Sequence, residues 1–232
     1  MKMRLDKFLS NNGFGSRKEV KDLVKKGYVS INDNFKIKFD DSIDPTIDVI
    51  KVDDEVIEYK ENYYFLMNKP KGYISATEDF YQDTVLDLIP EYAYLNLFPV
   101  GRLDKDTTGL LILTTDGQLA HRLISPKYHV DKVYYVEVDK ILNPNIKDTF
   151  EHGLKLDGED LLPSKFEYLD EHHARVTLHQ GKYHQVKRMF EHFGYSVVNL
   201  HRETFAFLNL DGVEEGTYRE LTKEEIEKLK EY

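Results

Sequence analysis

The sequence predicts an α+β protein of two domains, a small helix-and-strand module over residues 1–60 and a larger domain over 61–232 built on a mostly antiparallel, mixed sheet. Three observations predict it. Strand-like stretches outnumber helical ones, several adjoin without a helix between them, and the charge reverses sign inside the first module.

The 232 residues carry 32 Lys and Arg against 42 Asp and Glu, a net charge of −10, with 41% hydrophobic and 32% charged residues. That is enough apolar material for a core and too much for a disordered chain. The absence of Cys excludes a disulfide scaffold, thiolate catalysis, iron–sulfur clusters and Cys-based zinc sites. No apolar run reaches membrane-spanning length and MKMRLDKFL has no signal-peptide core, so the cytoplasm is the expected compartment and no membrane partner is expected. The acidic total by itself argues against nucleic acid. Its distribution reverses that argument. Residues 1–38 hold ten basic and four acidic residues, a net of +6, whereas residues 39–60 hold eight acidic and two basic, a net of −6.

Leu5, Phe8 and Leu9 fall at helical spacing before the Asn11-Asn12-Gly13 breaker. Ser16 and Glu19 form a capping box for a second helix with Val20, Leu23 and Val24 on one face and Gly27 as its stop. Arg17, Lys18, Lys21, Lys25 and Lys26 then lie on the outer side, either as a solvated face or as a binding surface. Tyr28 to Ile31 reads as a strand, Asn32 to Asn34 as a turn, and Val49 to Val56 as a further strand. A seam is expected near Tyr59 to Asn62.

In order, Arg4-Leu5-Asp6, Gly15-Ser16-Arg17, the basic helix and Gly27-x-Val29-x-Ile31-Asn32 resemble the S-four RNA-binding domain over roughly residues 3–50. The resemblance implies a basic helix, with Arg4 beside it, docked on phosphates of structured RNA.

In the larger domain, Tyr63 to Met67 reads as a buried strand leading into the Asn68-Lys69-Pro70-Lys71-Gly72 turn, and Thr84 to Leu88 as a helical turn. The stretch from Phe98 to Gly109 sets Arg102, Asp104, Lys105, Asp106, Thr107 and Thr108 in a loop ahead of an apolar strand, Leu110 to Leu113, and an Asp116-Gly117 turn. Functional residues concentrate in such loops, although Asp and Thr also serve as local turn formers. Lys132 to Val138 alternates as a strand and Arg175 to Leu178 begins another. Val186, Met189, Phe190 and Phe193 share one helix face before Gly194, a strand returns over Tyr195 to Leu200, and Thr222 with Glu225 caps a closing helix.

Three chemical readings compete for the aspartate loop. Asp104-x-Asp106-x-Thr108 fits a phosphatase loop, but Pro99, Gly101 and Arg102 interrupt the apolar strand that should precede it, and the only Asp-Asp pairs that could hold a metal, 40–41 and 53–54, lie upstream in the other module. The His cluster from His172 to His201 lacks metal-ligand spacing, so no metal site is expected. The third reading is chemistry on a nucleobase. Asn68-Lys69-Pro70-x-Gly72, Gly101-Arg102-Leu103-Asp104-x-x-Thr107-x-Gly109-Leu110, Lys132-x-Tyr134 and Gly181-Lys182-Tyr183-His184-Gln185-Val186-Lys187-Arg188-Met189 resemble, in order, the motifs of the RsuA/RluA superfamily of pseudouridine synthases. The wording YHQVKRMF, followed by His201-Arg202-Glu203, is most similar to its small-subunit ribosomal RNA branch.

That resemblance implies an isomerisation of uridine that needs no cofactor, with Asp104 as the carboxylate nucleophile and Lys187 as the cation that orients it. Many members of the superfamily carry Arg at the Lys187 position, and Lys cannot reproduce its bidentate fork. It implies Tyr134 stacking on the uracil, with Tyr135 on the opposite face of the strand, and Arg102 filling the space of a flipped base. Lys69, Lys71, Lys182 and Arg188 are expected on the RNA-facing side, Lys69 and Lys71 equally as turn cations. The partner implied is ribosomal RNA, of the small subunit or its assembly intermediate, bound by a monomer. A large-subunit paralogue and a non-catalytic assembly factor are the alternatives.

Overall fold

In the computed structural model, which describes residues 2–156 and 158–232, the chain divides into two units. One runs up to Asn62 and takes in Pro90–Leu97, and the other comprises Tyr63–Ile89 and Phe98–Tyr232. The excursion of Pro90–Leu97 departs from the contiguous split expected at residue 60. Within the first unit the ring of Tyr94 sits where a Cβ on Gly13 would lie, 2.9 Å from its nearest atom, and Gly13 has φ +83°. Charge and hydropathy carry no trace of such a return.

In the first unit, helices Leu5–Asn11 and Arg17–Lys25 bury Leu5, Phe8, Leu9, Val20 and Val24 against Val29, Ile43, Ile50 and Val52. The capping box is complete: Ser16 Oγ accepts from Glu19 N at 3.4 Å and Glu19 Oε2 accepts from Ser16 N at 2.7 Å. The helix ends where Gly27 takes φ +79° and Tyr28 N donates back to Leu23 O, the left-handed stop that glycine permits. The strand expected over Val49 to Val56 is a hairpin, Ile50–Val52 paired with Glu55–Val56, because Asp53 and Asp54 both adopt positive φ. Two aspartates make a weaker hairpin signal than Asn-Gly or Asp-Gly. Met3–Arg4 pairs with Ser42–Ile43, which sequence periodicity did not disclose.

The second unit is an eight-stranded sheet. Along its path lie Lys165–Tyr168, His173–Leu178, Lys132–Val138, Val197–Phe205, Thr108–Thr114, Tyr64–Lys69 and Tyr218–Glu220, with Phe98–Pro99 paired to Thr108–Thr114. Every pairing is antiparallel except that of Val197–Phe205 with Thr108–Thr114. The α+β fold on a mostly antiparallel mixed sheet is therefore the one present. Tyr64–Lys69 and Thr108–Thr114 are buried throughout, while Lys132–Val138 alternates as expected. Tyr134 faces inward and Tyr135 stacks on His173 at 5.3 Å between ring centres.

Asp116-Gly117 is a helix start and not a turn: Asp116 Oδ1 accepts from Leu119 N, and Gly117–Ile124 buries Leu119, Ala120 and Leu123. Helix Gln185–Glu191 buries Val186, Met189 and Phe190. Phe190 meets Phe150 and Phe166, which come from a helix, Lys147–His152, and a strand that the sequence reading passed over.

The parallel pairing sets His201 opposite Thr108 and Arg202 opposite Gly109. A Cβ on Gly109 would lie 2.4 Å from Arg202 O and 2.7 Å from Arg202 N, at φ +105°. Only glycine fits there. Gly109→Ala is expected to lower unfolding free energy by about 3 kcal/mol, from overpacking plus backbone strain, measured by urea denaturation; a loss within about 0.5 kcal/mol contradicts this close approach.

Candidate active site

The loop between Phe98–Pro99 and Thr108–Thr114 is folded around one buried ammonium. Lys69 ends the Tyr64–Lys69 strand with its side chain fully buried, and its Nζ donates to Pro70 O at 3.1 Å, Asp104 O at 3.1 Å, Lys105 O at 3.4 Å and Thr107 O at 2.8 Å. Ser75 Oγ donates to Leu103 O at 2.8 Å and accepts from Leu103 N at 3.0 Å. Gly72 N adds a bond to Lys105 O. Burial pulls the Lys69 ammonium down to about 8, against the opposing pull of Asp106 and Asp104. The expectation that Lys69 faces RNA is overturned: a lysine with no accessible surface holds the loop and cannot touch a phosphate.

This loop presents Asp104, part-buried, to helix Gln185–Glu191. Lys187 Nζ lies 3.2 Å from Asp104 Oδ2 and 2.6 Å from Asp106 Oδ1. His184 Nε2 stands 3.4 Å from Asp104 Oδ1. Burial pulls Lys187 down, but its bonds to Asp106 and Asp104 outweigh this and raise it above the ordinary lysine value. The Lys187 hydrogen bond likewise holds Asp106 below the usual carboxylate range. His184 precedes the helix in a left-handed conformation, φ +46°, with its ring stacked on Tyr183 at 3.8 Å. In the sequence His184 stands within a motif that assigns it no role, and Asp106 stands only within a phosphatase-like pattern.

Asp104 opens onto a cavity of about 680 Å³ lined also by Arg102, Lys132, Tyr134, Lys182, His184 and Arg202. That volume suits a nucleotide-sized ligand. Arg102 is exposed at its wall, and Tyr134 is buried in it. Arg202 stands in the sequence only within the His201-Arg202-Glu203 wording, with no role attached. It is 2% exposed, its Nε donates to Leu110 O at 2.7 Å, its Nη1 lies 3.4 Å from Tyr134 Oη, and its Nη2 has no hydrogen-bond partner among the described residues. Lys132 is buried beside it, donates to Val130 O and lies 5.0 Å from the Phe205 ring centre. Burial first, and Arg202 second, bring the Lys132 ammonium down to about 8. The cavity therefore offers a carboxylate oriented by one cation, an aromatic face, and two further buried cations. Among the described residues no group of three or more His, Asp or Glu is placed to hold a metal ion.

The remaining basic positions divide. Arg17, Lys18, Lys25, Lys26 and Lys71 are exposed, while Lys21 is half-buried with its ammonium 4.8 Å from the Phe39 ring centre. Arg4 is bound to the buried carboxylate of Asp6 at 2.9 Å. In the second unit Lys182 pairs with Glu159 at 3.0 Å, and Arg188 donates to Tyr183 O at 3.3 Å.

Residues 63–192 match the RNA pseudouridylate synthase family, and residues 3–34 match the S4 domain. The chain belongs to the RNA pseudouridylate synthase family. Among its relatives in this family is the uncharacterized RNA pseudouridine synthase YtzG of Bacillus subtilis, 44% identical over 99% of this chain and 99% of that protein. Ribosomal small subunit pseudouridine synthase A of Pseudomonas aeruginosa is 40% identical over 97% and 99%, and ribosomal large subunit pseudouridine synthase B of Bacillus subtilis 36% identical over 98% and 95%. A crystal structure of a pseudouridylate synthase aligns over 98% of this chain and 99% of that one, with a TM-score of 0.69 and 37% identity.

Two predictions follow from the buried lysines of this pseudouridylate synthase. Lys69→Met leaves the loop carbonyls without their donor, so it is expected to destabilise by about 3 kcal/mol and to displace Asp104. Turnover should fall while the salt dependence of RNA binding stays unchanged; a lowered salt slope would return Lys69 to the RNA face. Lys69 and Lys132 titrate near 8 in the folded chain against 10.5 when free. The unfolded chain thus binds more protons between those values, and stability rises as pH increases from about 8 towards 10.5. In Lys132→Met the urea midpoint should rise less steeply over that range than in wild type, and equal slopes contradict the buried charge.

Proposed function

We propose that this enzyme converts one uridine of small-subunit ribosomal RNA, free or within an assembly intermediate, to pseudouridine, with Asp104 as nucleophile. One observation carries the reading: the Asp104 carboxylate lies 3.2 Å from the Lys187 ammonium at the wall of a cavity it shares with Tyr134 and Arg102. The reaction breaks the N1–C1′ bond and forms C5–C1′, the C5 proton leaves, and N1 gains a proton. No electrons are gained or lost, so a carboxylate that carries a covalent intermediate suffices. Lys187 pairs with Asp104 and holds it turned to the cavity. Tyr134 stacks on the uracil and assists removal of the C5 proton, and Arg102 takes the space of the flipped base.

The first unit, with Arg17, Lys18, Lys21 and Lys25 on one helix and Lys26 at its C-cap, delivers the RNA by phosphate contacts. Arg4 contributes less than they do, because Asp6 already neutralises it. In the second unit Lys71, Lys182 and Arg188 line the approach. The enzyme acts as a monomer in the cytoplasm; no helix of the described residues is long and apolar enough to cross a membrane.

The small-subunit assignment rests on the relative of that name at 40% identity. The large-subunit relative at 36% keeps a second reading in view. A non-catalytic assembly factor is disfavoured, since such a chain has no use for a carboxylate held by a cation at a cavity wall.

Purified enzyme incubated with small-subunit ribosomal RNA is expected to generate pseudouridine at one position, and Asp104→Asn to abolish it while still binding RNA. Modification of large-subunit RNA alone transfers the assignment to the second reading; wild-type enzyme that binds RNA and leaves every uridine intact sinks the catalytic reading. Charge reversal at Lys18, Lys21 and Lys25 should weaken RNA binding and lower its salt slope, and unchanged binding would make that helix a solvated face.

A further inference from the structure

A second feature of the catalytic unit rises from the wall of the cavity. Between Ile74 and Thr84 the chain leaves the core and returns, closed at its base by bonds from Ile74 N to Asp83 O and from Val85 N to Ile74 O, both at 3.0 Å. The tip carries two adjacent aromatic rings in water: Phe80 is 100% exposed and Tyr81 97%. A soluble chain leaves single apolar residues exposed as a matter of course, but two large rings side by side at a loop tip leave more apolar surface in water than scattered exposure accounts for.

The tip is shaped, and it is tied to the catalytic loop. Asp79 Oδ1 accepts from Tyr81 N at 2.8 Å and Gln82 N at 3.0 Å, a local turn that fixes the backbone under both rings. Gln82 Oε1 accepts from Lys105 Nζ at 3.1 Å. Lys105 follows the nucleophile in sequence and lines the cavity, as do Ile74, Ser75 and Ala76 at the root of the same loop. Tyr81 is thus one residue from a side chain bonded to the cavity rim.

We propose that Phe80 and Tyr81 form a stacking platform for unpaired RNA bases next to the uridine that enters the cavity. The inference rests on RNA being the substrate, which the family gives, and adds how the strand beside the target is held. A base taken from its stack leaves neighbours with exposed faces, and aromatic side chains stack on such faces whatever the base identity. The charge of the loop selects this mode over phosphate contact. Glu78, Asp79 and Asp83 flank the two rings in sequence, so the backbone is repelled while the uncharged base faces are not. The same acidity rules the loop out as part of the phosphate-binding surface on the first unit's helix.

The absence of Trp from the chain supplies a clean reporter. In Phe80→Trp, fluorescence is expected to be quenched on adding single-stranded oligouridine or oligoadenosine, and not on adding an RNA duplex of equal length. Phe80→Ala with Tyr81→Ala should lower affinity for the single strands by about tenfold per ring lost and leave the slope of log affinity against log salt unchanged, in contrast to charge reversal at Lys18, Lys21 and Lys25. Both rings are exposed, so the substitutions leave the fold intact. Unaltered fluorescence together with unaltered affinity overturns the proposal, and so does a reduced salt slope, which would mean contact with phosphates. Failure of wild-type enzyme to bind any of these RNAs would overturn the RNA reading itself, whereas wild-type binding with an indifferent loop overturns only this inference.

Discussion

The catalytic unit depends on a single desolvated ammonium. Lys69 is held in a place where water does not reach it, and the carbonyls of Pro70, Asp104, Lys105 and Thr107 take over its hydration. A buried charge is expensive unless its donors are met. Here meeting them requires the backbone on either side of Asp104 to wrap around Nζ. The charge thereby converts a polar segment into a rigid support, and Asp104 inherits its position from a residue with no accessible surface.

Electrostatic strain of a different kind lies across the cavity. Arg202 and Lys132 are buried close together, one with an unsatisfied Nη2 and the other brought down to about 8. Functional sites accept such arrangements where the rest of the structure holds them in place, and the mostly antiparallel sheet does so here.

The legible parts of the sequence were those governed by short-range rules. The capping boxes at Ser16 and Thr222, the alternation over Lys132–Val138 and the apolar face of Gln185–Glu191 each follow from neighbours a few residues apart, and each is present. The Asp104, Lys187 and Tyr134 constellation was legible only through resemblance to a family, since those residues meet across 30 to 83 positions of chain. What stayed hidden depended on tertiary partners. Lys69 reads from sequence as an RNA-facing residue or a turn cation because nothing local reveals the four carbonyls around it, and Arg202 reads only as part of the His201-Arg202-Glu203 wording. Asp116-Gly117 resembles a turn until Leu119, Ala120 and Leu123 find a core to face.

The one parallel pairing in the sheet bears on how the enzyme matures. Val197–Phe205 lies between Thr108–Thr114 and Lys132–Val138, so a strand near the end of the chain is the keystone between two that precede it. Asp104 leads into one of those earlier strands and Tyr134 belongs to the other. Until the late strand inserts, no ladder joins the Asp104 loop to the strand of Tyr134, and closing that gap is the kind of long-range step that folds slowly. During synthesis the basic helix Arg17–Lys25 leaves the ribosome far ahead of it. The nascent chain thus presents its S4-matching module before the strand that closes the sheet is made, and a chain truncated ahead of residue 197 would carry that module without the ladder between Thr108–Thr114 and Lys132–Val138.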